Sequence, residues 1–200
     1  MRGHTMSLIE IYSRLYLESI VEPHNTDHNN CDKGSTHSYI PYYESILSEK
    51  KNDSVNVLEI GVQGGICLLL WEQYFTNAKT VVGLDIDTSR VQQKVHQQSI
   101  STGKIKILEG DATNPQTIAD LNDTYDVVVD DGSHRLNDQL SSFKLLESRL
   151  NPGAIYIIED IQNEQEAEFL KNSIPSSEIV DLRGVKGRYD DLLLIYRKGI

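Results

Sequence analysis

Two cysteines, two methionines and one tryptophan in 200 residues leave little scope for several kinds of chemistry. Cys31 and Cys67 have no metal-binding spacing and are too few for a disulfide framework, so both are expected to be reduced bystanders. Long hydrophobic runs are missing as well: the longest, such as 66–71, are far too short to cross a bilayer. No apolar segment follows the polar residues 1–5 to make a signal peptide, and Met6 reads as the native start after a short remnant. The expected setting is the cytoplasm. Basic residues are also scarce, 19 Lys and Arg against 30 Asp and Glu, for a net charge of −11. That balance argues against a nucleic-acid backbone as the main partner, and nothing points to a membrane. There is no repeat and no low-complexity tract. What remains is enough chain for one α/β domain with a sizeable core.

The stretch around which the chain is organised is 125–134, YDVVVDDGSH. Val127, Val128 and Val129 form the β-branched run of a strand buried on both faces. The run ends in Asp130, Asp131 and Gly132. A helical pattern follows through Leu136, Leu140, Phe143 and Leu146, with Ser133 or Asp138 as candidate cap. A second acidic pair, Glu159 and Asp160, ends the apolar run 154–158. In parallel α/β sheets the strand tips are where ligands bind. If those two strands are neighbours, four carboxylates and His134 converge on one cleft, which suits a metal-assisted site.

The segment 6–21 carries a helical stripe (Leu8, Ile11, Tyr12, Leu15, Tyr16, Ile20), to be packed on the sheet or on another subunit. His24 and His28 read as solvated loop residues. Residues 31–44, CDKGSTHSYIPYYE, are dense in functional side chains, among them Lys33, Ser35, Thr36, His37 and Tyr39, ahead of a helix over 41–49. They read equally well as an N-cap loop or as a lid supplying hydroxyls to a ligand. Strand 55–60 leads into Gly61-Val-Gln-Gly-Gly65 and a helix, a nucleotide-cradling arrangement that lacks the dinucleotide fingerprint. Glu59, two residues before Gly61, repels a pyrophosphate and suits a ligand bearing an ammonium group, such as S-adenosylmethionine (SAM). Asp85 after strand two is placed for ribose hydroxyls, with Asp87 the alternative or a helix cap. Asp111, beside Ala112 after strand three, can accept an adenine amine or serve only a turn. Arg188, Tyr189 and Asp190 near the last hairpin read as a turn, with contact to a substrate as the alternative. Alternating elements ending in a strand pair predict a doubly wound sheet.

VLEIGVQGG, VVGLDID, GDATNP, YDVVVDDGSH and LNPGAIYIIED, in that order, resemble the class I SAM-dependent methyltransferases. DKGSTHSYIPYYE, DDGSH and IED together are similar to the metal-dependent O-methyltransferases of macrolide-sugar tailoring and the related cephalosporin-biosynthesis group. The resemblance covers most of the chain. It implies a seven-stranded Rossmann-like sheet of order 3-2-1-4-5-7-6 with strand 7 antiparallel. An N-terminal helical or lid segment (1–50) would precede a transferase domain (51–200). It implies Mg²⁺, or Mn²⁺ or Ca²⁺, on Asp131, Glu159 and Asp160, with His134 as general base. SAM would lie against Glu59, Gly61, Gln63, Gly65, Asp85 or Asp87, Asp111, Ala112 and Asp130, with Ser35 and Tyr39 from the lid. Gln63 departs from the glycine common in the class. The expected reaction is O-methylation of a sugar or another small polyhydroxylated molecule. A catechol-like or carboxylate acceptor, a silent SAM-binding protein and an NAD-linked oxidoreductase are the rivals. The leading helix and the family's habits favour self-association.

Overall fold

The computed structural model describes residues 5–20 and 31–199; the expected loop with His24 and His28 lies outside them. The chain runs α1 (Leu8–Ile20), α2 (Tyr39–Leu47), β1 (Asn56–Ile60), α3 (Ile66–Tyr74), β2 (Thr80–Asp85), α4 (Gln93–Thr102) and β3 (Ile105–Glu109). It continues α5 (Pro115–Ala119), β4 (Tyr125–Asp130), α6 (Leu136–Leu146), β5 (Leu150–Ile158), α7 (Glu164–Ser173), β6 (Ser177–Asp181), α8 (Arg183–Lys186) and β7 (Leu192–Arg197). The seven strands form one sheet, β3-β2-β1-β4-β5-β7-β6, as the resemblance implied. β7 is antiparallel to both of its neighbours.

Strand alternation divides the core between two faces. Val57, Val81, Val127, Val129, Ile155 and Ile157 are buried with side chains of α1, α2, α3 and α4. Leu58, Val82, Val128, Tyr156 and Ile158 are buried with α5, α6 and α7. Side chains two apart lie on one face and those one apart on opposite faces, so central strands must be apolar throughout. The leading helix packs within the chain, against α2 and α3. It buries Leu8, Ile11 and Leu15 and leaves Ile9 and Leu17 exposed. Tyr39, Tyr43, Trp71 and Phe75 form a run of ring contacts, centroids 5.8, 6.1 and 6.4 Å apart, that ties α2 to α3. Each such pair contributes about 0.5–1.5 kcal/mol beyond its buried area.

Three boundaries differ from expectation. The helix expected after Asp87 is a single 3₁₀ turn, Thr88–Arg90, and the α-helix starts only at Gln93. The strand that carries the apolar run 154–158 starts earlier, at Leu150, so that Asn151-Pro152-Gly153, turn-like in composition, belongs to β5. Gly153 donates to Lys198 and Lys198 donates to Ala154, so the tail beyond β7 supplies ladder bonds there. The cap expected from Ser133 or Asp138 is absent; Arg135 is the N-cap residue and makes no side-chain cap bond. The Ser133 hydroxyl donates to Asp138 instead, at 2.7 Å.

Candidate active site

β1 and β4 end side by side, and the loop after β1 must pass close over the end of β4. A Cβ on Gly61 would lie 1.9 Å from the Asp131 carbonyl oxygen, and φ there is +84°, so only glycine fits. Asp85, at the tip of β2, fastens this loop. Its Oδ2 accepts from the amides of Val62 (2.6 Å) and Gln63 (3.1 Å), and its Oδ1 accepts from Asp87 (3.0 Å). Gln63 is held at φ +44°, the left-handed region that glycine would occupy without strain.

Beside the loop lies a cavity of about 780 Å³, lined by Gly61, Gln63, Asp85, Asp87, Asp111, Ala112, Asp130 and Asp131 among others. That volume falls in the range for cofactor-sized ligands, roughly 300–1,000 Å³. The carboxylates on this side are bonded locally. Asp87 accepts from the Ser89 amide (3.0 Å) and Asp111 from the Thr113 amide (2.8 Å) and hydroxyl (2.7 Å); these bonds hold both below the usual carboxylate range. Asp130 is buried, which pushes it up to about 7 against the pull of the Tyr156 hydroxyl and the Gly132 amide. Gln139, which no sequence motif marked, also lines the cavity. Its Nε2 donates to the Glu159 carbonyl (2.9 Å), and its Oε1 is buried without a partner. A buried acceptor without a protein partner, in a residue that lines a cavity, is a polar group left for a ligand's donor to satisfy.

Four of the expected cofactor contacts do not line this cavity. Gly65 borders a small separate cleft beside Cys31 and Cys67. Ser35 is exposed, and its carbonyl accepts from Lys186 (3.0 Å). Tyr39 donates to Asp160 Oδ1 (2.5 Å) and to the Asp190 carbonyl (3.2 Å), on the acidic side. Glu59 is buried, with Trp71 Nε1 at 3.2 Å and Lys33 Nζ at 3.3 Å. Its carboxylate faces the lid because residues of β1 alternate faces, and Glu59 shares its side with Val57.

The acidic side is closed by the segment 31–43. Lys33, fully buried, donates to Asp131 Oδ2 and Glu159 Oε2, both at 2.7 Å. Burial alone would discharge it, but Asp131, Glu159 and Glu59 outweigh that cost and raise its pKa well above the usual lysine value. The Tyr43 hydroxyl donates to Glu159 Oε1 (2.5 Å), so both oxygens of Glu159 are engaged. Burial pushes Glu159 up, and burial together with Asp131 brings Asp160 to about 6. His134 Nε2 stands 3.9 Å from Asp131 Oδ1 and 3.8 Å from Asp160 Oδ2, and its Nδ1 is buried without a partner. Both His134 and Asp160 have positive φ, +57° and +55°. Such strain in two non-glycine residues at adjacent strand tips is typical of functional sites.

Ligand atoms of Asp131, His134 and Asp160 lie within 4.8 Å of one another. Hard carboxylate oxygens in such a group fit Mg²⁺, Mn²⁺ or Ca²⁺. Asp131 and Asp160 fit such an ion as they stand; Glu159 fits it only by giving up a partner. His37 Nδ1 pairs with Asp191 Oδ1 at 2.7 Å, next to Asp160 at 3.5 Å.

The cysteines correct the sequence-based expectation. Cys31 and Cys67 form a disulfide across Cα atoms 5.1 Å apart, joining the loop ahead of α2 to the first turn of α3. Their separation of 36 positions carries no local signature, and only the fold brings them together.

Residues 58–161 match the family described as "Methyltransferase domain". The chain is 32% identical over 170 residues to the demethylmacrocin O-methyltransferase of Streptomyces fradiae, covering 80% of this chain and 41% of that protein. It is 34% identical over 142 residues to the 8-demethyl-8-alpha-L-rhamnosyl tetracenomycin-C 2'-O-methyltransferase of Streptomyces olivaceus, covering 66% and 35%. The chain thus spans well under half the length of these relatives. Among solved structures, MycE methyltransferase of the mycinamycin pathway, in complex with Mg, SAH and mycinamycin VI, superimposes with a TM-score of 0.68 at 24% identity, over 98% of this chain and 56% of that one. With the family's span covering more than half of the sequence and the sheet order as described, this chain belongs to the methyltransferase domain family.

Proposed function

We propose that the protein transfers the methyl group of SAM to a hydroxyl of a sugar or another small polyhydroxylated molecule, with a divalent cation, Mg²⁺ foremost, on Asp131, Asp160 and Glu159. The observation that carries the reading is the triangle of His134 Nε2, Asp131 Oδ1 and Asp160 Oδ2, of which the Asp131 corner also lines the cavity. When bound, SAM brings an already activated methyl group and the cation makes a neighbouring hydroxyl more acidic. The task left to the side chains is to take the hydroxyl proton and hold the oxygen in line. His134 Nε2 is the acceptor of that proton, and the two carboxylates facing it stabilise the imidazolium that results. Gln139 Oε1 and Asp130 offer acceptors to the ammonium end of the cofactor, and Asp85 and Asp111 line the part of the cavity where a ribose and an adenine fit. Gly61 lets the ligand approach the backbone.

The printed names of the relatives support a sugar hydroxyl as acceptor. The division into a lid segment, 1–50, and a transferase domain, 51–200, belongs to this proposal. A SAM-consuming reaction fits a cytoplasmic setting, where the thiol pool would keep Cys31 and Cys67 in exchange between dithiol and disulfide.

The test is calorimetric titration of SAM and then Mg²⁺ into wild type and Asp131→Ala, followed by transfer from labelled SAM to rhamnosides. SAM binding in both, with Mg²⁺ binding and transfer lost in Asp131→Ala, is the expected result. His134→Gln should lower kcat by about 10²–10⁴-fold while SAM affinity is kept. Absence of SAM binding would sink the proposal, and SAM binding without a Mg²⁺ site would sink its metal half.

A further inference from the structure

We propose that Lys33 is a built-in competitor of the divalent cation: its ammonium and the ion are alternative occupants of the Asp131 and Glu159 carboxylates, so that metal binding and release of the lid segment are one event. The inference rests on the metal reading above and adds a residue to which that reading gives no role.

The geometry leaves little room for both. Lys33 Nζ is 2.7 Å from Asp131 Oδ2 and 2.7 Å from Glu159 Oε2, and 3.3 Å from Glu59 Oε1. A Mg²⁺ ion binds carboxylate oxygens at about 2.0–2.1 Å. An ion shared by those two oxygens would therefore occupy the position of the ammonium. The other Glu159 oxygen is the poorer alternative, because it already accepts from the buried Tyr43 hydroxyl at 2.5 Å. Among the described residues, Asp131 Oδ1 accepts no hydrogen bond, whereas each Glu159 oxygen accepts one. For Glu159 Oε2 to join Asp131 and Asp160 around an ion, Lys33 must leave it.

Electrostatics point the same way. One ammonium faces three carboxylates, and Asp160 lies beyond them, so a divalent ion matches this set of oxygens better than a single positive charge does. The withdrawal has a path, because Lys33 is the middle of a loop rather than part of a helix or strand. The loop is pinned on either side, by the Cys31–Cys67 disulfide two residues before Lys33 and by Lys186 Nζ on the carbonyls of Gly34 (2.6 Å), Ser35 (3.0 Å) and His37 (2.7 Å) after it. Displacing Lys33 therefore moves a short tethered stretch that roofs the site.

The experiment has two readouts, neither of which is turnover. In the first, Mn²⁺ is titrated calorimetrically into wild type, Lys33→Met and Lys33→Met/Glu59→Gln. The double variant removes one charge of each sign and guards against misfolding of the single one. Removing the competitor should tighten Mn²⁺ binding at least ten-fold in both. In the second, wild type is acylated at its amines with and without saturating Mn²⁺, and Lys33 is followed by peptide mass spectrometry. Lys33 should be protected without Mn²⁺ and modified with it.

Unchanged or weaker Mn²⁺ affinity in the variants, at a site that Asp131→Ala still abolishes, overturns the competition and leaves the metal reading standing. So does a Lys33 equally protected with and without Mn²⁺ at a concentration that saturates the wild-type site. Mn²⁺ binding by the variants but not by wild type supports it. No Mn²⁺ binding by any of the proteins removes the metal reading and the competition together.

Discussion

On the cavity side of the strand tips, carboxylates find their partners nearby in sequence: Asp87 bonds Ser89 and Asp111 bonds Thr113, each two residues on, and Asp85 bonds Asp87 and the glycine loop 22 and 23 residues back. On the lid side the partners are remote. Lys33 reaches Asp131 and Glu159 across 98 and 126 positions, Tyr43 reaches Glu159 across 116, and His37 reaches Asp191 across 154. The cavity side borders open space with Asp85, Asp87 and Asp111, whereas Lys33, Tyr39 and Tyr43 on the other side are buried against Glu159, Asp131 and Asp160. Local bonding shapes a cradle that exists before the ligand arrives. Remote bonding ties the segment 31–43 to the whole fold.

The comparison would break if cutting the lid's tether left the protein as stable as before. Replacing Cys67 by Ser opens a link that spans 36 positions, which in the chain-entropy view is worth about 4 kcal/mol. Urea unfolding of Cys67→Ser should show a loss of that order, and reduced wild type should fall on the same curve. A variant as stable as oxidised wild type would mean that the lid is held by the aromatic contacts of Tyr39, Tyr43 and Trp71 without help from the disulfide.

Buried charge sharpens the contrast next. Burial raises Glu59 to about 7, against the pull of Lys33, whereas its ordinary value is 4.5. The folded state therefore holds the Glu59 proton more tightly than the unfolded chain does. Stability falls as pH rises from about 4.5 to about 7 and is level beyond, with a total effect of about 3 kcal/mol. Glu59→Gln removes that dependence. Urea unfolding at pH 4.5 and pH 8 should show wild type losing ground to the variant between the two. A difference independent of pH would mean that Lys33 keeps Glu59 ionised in the folded state throughout.

The same division explains what could be read from the sequence. The Val127–Val129 run, the acids that end it and the glycine turn after β1 are local patterns, and the sheet order, the cavity lining and the placing of His134 beside two carboxylates agree with them. β5 was legible only from Ala154 onward, because Asn151-Pro152-Gly153 has the composition of a turn and is held as strand by remote partners: the chain beyond β7, Tyr125 beside Leu150, and Asp126, which accepts from the Asn151 side-chain amide at 2.9 Å. Lys33 stood out as one polar residue among several in a loop, with no periodicity to send it inward; its burial follows from the charge of Glu59 near the end of β1 and of Asp131 and Glu159 just beyond β4 and β5. The cysteines and Tyr39 were misjudged for the same reason, their partners lying far along the chain.

The smallest expected effect lies on the cavity side. Asp111 is exposed, and both of its bonds go to Thr113 in the turn that precedes α5, where Asn114 caps the helix independently by accepting from the Gln116 amide at 2.9 Å. Asp111→Ala should thus cost no more than about 1 kcal/mol, the usual worth of one local side-chain bond to an exposed amide. Lid-side chemistry should be untouched, so the Mn²⁺ affinity of Asp111→Ala should equal that of wild type. SAM affinity should fall, because a neighbour in sequence can hold the turn but cannot replace a carboxylate at the cavity wall. A lowered Mn²⁺ affinity would show that the two sides communicate through β3 and β2 despite their separate bonding. An unchanged SAM affinity would leave Asp111 with the turn alone and move recognition of the adenine to Ala112 and the loop around it.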